Sequence, residues 1–150
     1  MPVGFGFGVG DFITTIKLFK DVASALKDQG GALDDYQKTL RNLETTSAIL
    51  SCLANLNESS SDAASVNAIR SLAHLIQKDV DSFLTGIDKY KLTLGARNSR
   101  KSLVGAASKI KWSQYVAGQV SHLNQDIDVK TRSLKFLLDL HIRSAYSYAR

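Results

Sequence analysis

Residues 66–94 read VNAIRSLAHLIQKDVDSFLTGIDKYKLTL, and their main apolar positions are Val66, Ile69, Ala73, Ile76, Val80, Phe83, Ile87, Tyr90 and Leu94. The steps between them alternate three and four without a miss. Four heptads of that alternation place all nine side chains on one face of a helix. The face is about 42 Å long. A stripe of this length predicts a long helix packed in a bundle.

Working outward, Asn57-Glu58-Ser59-Ser60-Ser61 reads as a polar turn, and Ser61 or Asp62 supplies a cap for the long helix. Before it, a helix over about Leu33–Leu56 turns Tyr36, Leu40, Leu43, Leu50 and Leu53 inward. A first helix, capped by Asp11, runs from Phe12 to Gln29 and ends at Gly30-Gly31. Its stripe is Phe12, Ile16, Phe19, Ala23 and Leu26, widened by Ile13, Leu18 and Val22. Lys17, Lys20, Asp21, Lys27 and Asp28 keep its other face polar.

Downstream, Gly95 is expected to stop the long helix and open a basic loop to Ser102. A short helix over Leu103–Trp112 and a last helix over Tyr115–Tyr148 follow. The last helix buries Val116, Val120, Leu123, Ile127, Leu134 and Leu137, with Lys130 and His141 as polar intrusions. Short turns make neighbouring helices antiparallel. The expected fold is all-α: an antiparallel four-helix bundle with an additional short helix and a glycine-rich leader (1–11), one domain over 1–150.

With 150 residues and 44% apolar content, the chain is long enough for a real core. Its net charge of +5 favours anionic partners. The single cysteine, Cys52, excludes an internal disulfide framework, suits a reducing compartment and reads as a small core residue. His74, His122 and His141 lack metal-ligand spacing, so no metal or other cofactor is expected. Asp79 and Asp81 lie on different helix faces and form no acid–base pair. No converging polar set suggests catalysis or a small-molecule substrate, and no recognition element suggests nucleic acid. The leader does not read as a signal peptide, Pro2 excludes myristoylation, and no apolar run reaches about 18 residues. A cytoplasmic chain is expected.

The leader itself alternates Gly4, Phe5, Gly6, Phe7, Gly8, Val9 and Gly10 before Asp11 and Phe12. Glycine disfavours a soluble helix, by about 1 kcal/mol each, yet it permits close backbone approach in lipid or against a partner. A disordered or strand-like leader is the plain alternative. A second unusual stretch is basic. Between Asp88 and Trp112 the cations Lys89, Lys91, Arg97, Arg100, Lys101, Lys109 and Lys111 give a local net charge of +6, more than the whole chain carries. Beside an anionic leaflet each contributes about 1 kcal/mol, and Trp112 suits the head-group level. Alternatively the lysines only solubilise a loop and Trp112 caps the core.

The leader from Gly4 to Phe12, the segment Lys109-Ile110-Lys111-Trp112, the Phe83-Leu84 to Tyr90 run and the late Leu137-Leu138 pair resemble, in order, one known family. The chain is similar over essentially its full length to the HeLo-like N-terminal domains of fungal STAND (NLR-type) receptors and related heterokaryon-incompatibility and cell-death proteins. That resemblance implies a helical bundle that moves to the plasma membrane and permeabilises it, similar in architecture to the four-helix killer domain of mammalian necroptosis. It also implies activation by oligomerisation under an upstream or fused NLR or amyloid-type sensor. No nucleotide-binding domain, repeat array or amyloid motif follows Arg150, so an excised domain or a stand-alone product is expected.

On that resemblance the membrane-inserting residues are Gly4, Phe5, Gly6, Phe7, Gly8, Val9, Gly10, Phe12, Ile13, Ile16 and Phe19. The anionic-lipid contacts are the seven basic residues above with Trp112. A lone copy spanning as one helix is disfavoured, because Asp11, Lys17, Lys20 and Asp21 would each cost about 2.5–3.5 kcal/mol in the bilayer. Insertion thus calls for an oligomer lining a wet pore. The competing expectation is a non-lytic helical adaptor that mediates receptor self-association or partner binding.

Overall fold

A computed structural model of the chain describes residues 9–26, 30–54, 63–98 and 104–148. Among them are four α-helices and no strand: α1 (Val9–Lys20), α2 (Gly30–Ala54), α3 (Ala63–Asn98) and α4 (Val104–Tyr148). One 3-10 turn, Ala23–Leu26, follows α1. The all-α class expected from the sequence is observed.

The stripe over 66–94 packs as its spacing requires. Ile69, Ala73, Ile76 and Val80 are fully buried, with Phe83 and Ile87 nearly so. Val66 and Tyr90 are half-buried. All four helices supply side chains to one apolar core, in which Phe12, Phe19, Leu26, Leu43, Ile127 and Leu134 are completely enclosed.

Paired residues give the helix directions. Asp79 meets Lys130, Gly86 lies near Tyr115 and Tyr90 stacks on Trp112, so α4 runs antiparallel to α3. Against α2 the order rises on both sides: Asp35 and Thr39 meet Asn124, and Asn42 meets Asp128. The helices α2 and α4 are parallel. The Thr39 hydroxyl donates to the Asp35 carbonyl (2.8 Å) and stands 3.2 Å from Asn124 Oδ1. This polar seam accounts for Thr39 being tolerated at zero exposure. The short helix α1 rests on α2 and α3.

Several boundaries differ from expectation. Helix α1 begins at Val9, so Asp11 sits in its first turn and does not cap it; a carboxylate there still suits the helix dipole. The helix ends at Lys20, not Gln29. Beyond it Asp21 N–H and Val22 N–H donate to the carbonyls of Leu18 (3.3 Å) and Phe19 (3.0 Å), tightening the chain into the 3-10 turn. That turn brings Val22 and Leu26 into the core. Gly30 and Gly31 open α2 and do not close the first helix. Gly95 lies inside α3, because one helical glycine costs only about 1 kcal/mol and a long packed helix absorbs it.

The separate short helix over Leu103–Trp112 does not exist. Residues 104–148 form one helix, about 66 Å long. Between Trp112 and Tyr115 stand only Ser113 and Gln114, neither a helix breaker, and Trp112 and Val116 keep an i, i+4 step on one face. Cys52 is exposed and no core residue. Ile13 and Leu18, expected to widen the buried stripe, are 41% and 50% exposed.

Candidate functional site

The expected insertion residues fall into three groups. Gly4, Phe5, Gly6, Phe7 and Gly8 lie outside the described residues. Val9 is half-buried and Gly10 exposed at the start of α1. Phe12, Ile16 and Phe19 are core residues at 0, 6 and 0% exposure, leaving Ile13 on the outer face. The greasy face of α1 is therefore engaged with the rest of the molecule.

Two contacts clasp the end of α1. The Tyr36 ring of α2 stacks on Phe19 with centroids 4.8 Å apart, and Phe83 of α3 closes the other side at 5.7 Å. The Tyr36 hydroxyl donates to the Lys20 carbonyl (3.4 Å), one of the C-terminal carbonyls that α1 cannot satisfy itself. Burial first, and the Asp21 and Glu44 carboxylates second, push the Tyr36 phenol above its ordinary value. Across the surface Lys20 Nζ stands 3.8 Å from Glu44 Oε1, both half exposed, a pair of small energetic weight. No periodicity on α2 marks Tyr36 as a clasp; its spacing predicts only a place in the core.

The basic residues gather by virtue of the antiparallel α3–α4 hairpin. Lys89 and Lys91 near the end of α3, and Lys109 and Lys111 near the start of α4, are all exposed at one end of the molecule. The Arg97 side chain and residues Arg100 and Lys101 lie outside the description. An aromatic column fixes this end: Tyr90 stacks between Tyr115 (3.9 Å) and Trp112 (6.2 Å), with near-parallel rings. Trp112 is half-buried and packed on the core. Leu92 and Ile110, 74% and 58% exposed, stand among these lysines. Both fall off the core stripe by helical spacing, so the pattern could have revealed them.

One groove joins the two regions. A depression of about 280 Å³ is lined by Leu18 of α1, Asp21 and Val22 after it, Asp88 and Lys91 of α3, and Trp112 of α4, so two carboxylates and one lysine share its walls. The end of α1 and the basic end of the hairpin are thus neighbours.

A second groove, of similar volume, lies between α3 and α4, with Asp79, His122 and Asp126 on its walls. Asp79 is engaged by Lys130, which assigns that polar intrusion a partner. Among the described residues no hydrogen bond links His122 to either carboxylate, and no cluster of three or more His, Cys, Asp or Glu side chains has the arrangement of a metal site. The other intrusion, His141, is buried at 3% exposure, and its Nδ1 has no partner. Among the described residues no helix is long and apolar enough to cross a membrane.

No family model, curated protein or solved structure matches this chain.

Proposed function

We propose that this chain is a HeLo-like antiparallel four-helix bundle, one domain with a glycine-rich leader, that permeabilises membranes as a cell-death effector of fungal immunity or incompatibility. The observation that carries the reading is proximity: Leu18 of the amphipathic helix α1 shares a groove with Trp112 and Lys91, as well as Asp21 and Asp88, at the end where Lys89, Lys109 and Lys111 are exposed. A greasy helix beside clustered cations is the composition of an interfacial anchor for anionic lipid. The lipid would be met by Lys89, Lys91, Lys109 and Lys111, with Leu92 and Ile110 entering the head-group region. On this reading the protein is no enzyme, rests in the cytoplasm and reaches the plasma membrane when an upstream or fused sensor clusters it.

Releasing α1 is costly. Exposing Phe12, Ile16 and Phe19 to water costs about 5–9 kcal/mol, close to the whole stability of an ordinary domain. Lipid offsets that cost by receiving the same side chains, and the four described lysines add about 4 kcal/mol at an anionic surface. The exchange is near balance, so copy number and lipid charge decide it. At 12 residues α1 is about 18 Å long, short of the roughly 30 Å hydrocarbon core. Insertion requires the leader as well.

Dye release from anionic vesicles tests this. The full chain should release dye at physiological salt, and deletion of residues 1–11 should abolish release while vesicle binding persists. Binding without release by the full chain would instead support the non-lytic adaptor, a reading favoured by the complete burial of Phe12 and Phe19.

A further inference from the structure

The groove between the end of α1 and the α3–α4 hairpin holds charges of both signs. Its walls bring Asp88 and Lys91 of α3 together with Asp21, Trp112 and the apolar side chains of Leu84 and Ile87. Asp88 and Lys91 stand three residues apart on one helix, a spacing that makes them surface neighbours with Cβ atoms about 5–6 Å apart. Both are exposed, yet among the described residues neither enters an ion pair. On α4 the neighbouring opposite charges do close on each other, Asp128 with Arg132 at 2.7 Å and Asp139 with Arg143 at 3.2 Å. The groove thus presents a carboxylate and an ammonium side by side, each able to take an outside partner.

That pair dictates the charge of the occupant. A bare anion would gain from Lys91 but be repelled by Asp21 and Asp88. A bare cation would be repelled by Lys91 and by the exposed Lys89, Lys109 and Lys111 at the same end. A zwitterion with its two charges a few bonds apart satisfies both sides. Trp112 then selects among zwitterions. Its ring stacks near-parallel on Tyr90 at 6.2 Å, which fixes the indole at the groove wall. An indole attracts a quaternary ammonium, whose methyl groups also suit the apolar side chains of Leu84 and Ile87.

We infer that this groove seats the phosphocholine headgroup of a membrane lipid, with the quaternary ammonium between Asp88 and Trp112 and the phosphate on Lys91. The inference rests on the membrane-facing role proposed for this end, and it adds a zwitterionic lipid to the anionic one.

Trp112 is the single tryptophan, so its indole N–H resonance reports on the groove wall. With the full chain in lipid-free buffer at constant ionic strength, glycerophosphocholine should shift that resonance saturably, with a midpoint in the millimolar range. Choline and glycerol 3-phosphate, given singly, should each need at least tenfold more. Asp88→Asn and Lys91→Gln, both at exposed positions, should each raise the midpoint at least fivefold with an unchanged circular dichroism spectrum. Absence of a saturable shift, a midpoint indifferent to either substitution, or an equal response to glycerol 3-phosphate would overturn the inference. Vesicles then identify the lipid. Anionic vesicles containing phosphatidylcholine should bind the chain at least threefold more tightly than those with an equal share of phosphatidylethanolamine, and Asp88→Asn should erase the difference. Equal binding to the two would overturn the assignment to a phosphocholine lipid. Loss of dye release with the titration intact would count against permeabilisation alone.

Discussion

Tyr36 holds α1 by two different contacts, a stacked ring on Phe19 and a hydroxyl on the Lys20 carbonyl. The hydroxyl donates, so only the protonated phenol makes the bond. Its folded pKa lies above the unfolded value near 10, through burial first and nearby carboxylates second. The stability it contributes is fully present below about pH 10 and is lost as pH rises through the folded value. Tyr36→Phe should cost about 0.5–1.5 kcal/mol at neutral pH, the range for one hydrogen bond. Compared with the wild type by urea unfolding, it should lose less stability between pH 9 and 11. A parallel decline in both proteins would remove the clasp from the account.

At the scale of the element, α4 gives the clearest correction. A helix of 45 residues through Trp112–Tyr115 needs no breaker anywhere along it, and Gly118 is its most suspect interior position. A Cβ at Gly118 would meet nothing within 4 Å. Gly118→Ala should stabilise the protein by about 0.5–1 kcal/mol, read as a higher urea midpoint. A lower midpoint would argue that the chain bends there. The same element shows what the sequence made legible. The three–four spacing of Val116, Val120, Leu123 and Ile127 identified the buried face correctly, because periodicity reports burial directly. Boundaries were not legible where local signals misled: Gly95 and the Gly30-Gly31 pair read as stops, yet α3 continues through Gly95 and the glycine pair opens α2. Lys20–Val22 carries no stop residue; the chain tightens there through backbone bonds to Leu18 and Phe19, and the Tyr36 hydroxyl from α2 takes the Lys20 carbonyl. The basic residues were visible as a run, whereas the groove that Lys91 shares with Leu18 depends on how α1 packs and had no local signature.

At the scale of the molecule, the two ends differ in kind. One gathers exposed lysines, the aromatic column and the end of α1; toward the other, α4 exposes Val129, Phe136 and Leu140 beside the Asp128–Arg132 and Asp139–Arg143 pairs. Permeabilisation, unlike lipid contact, depends on α1 leaving a core in which Phe12 and Phe19 have no exposed surface. Lys20 and Glu44, already 3.8 Å apart and half exposed, offer a place to prevent that departure without touching the core. In a Cys52→Ser background, Lys20→Cys and Glu44→Cys can be bridged by a short bismaleimide, and dye release from anionic vesicles compared before and after bridging. The bridged protein should bind vesicles as before and release dye at least tenfold more slowly. Undiminished release from the bridged form, or none from either form, would contradict that expectation.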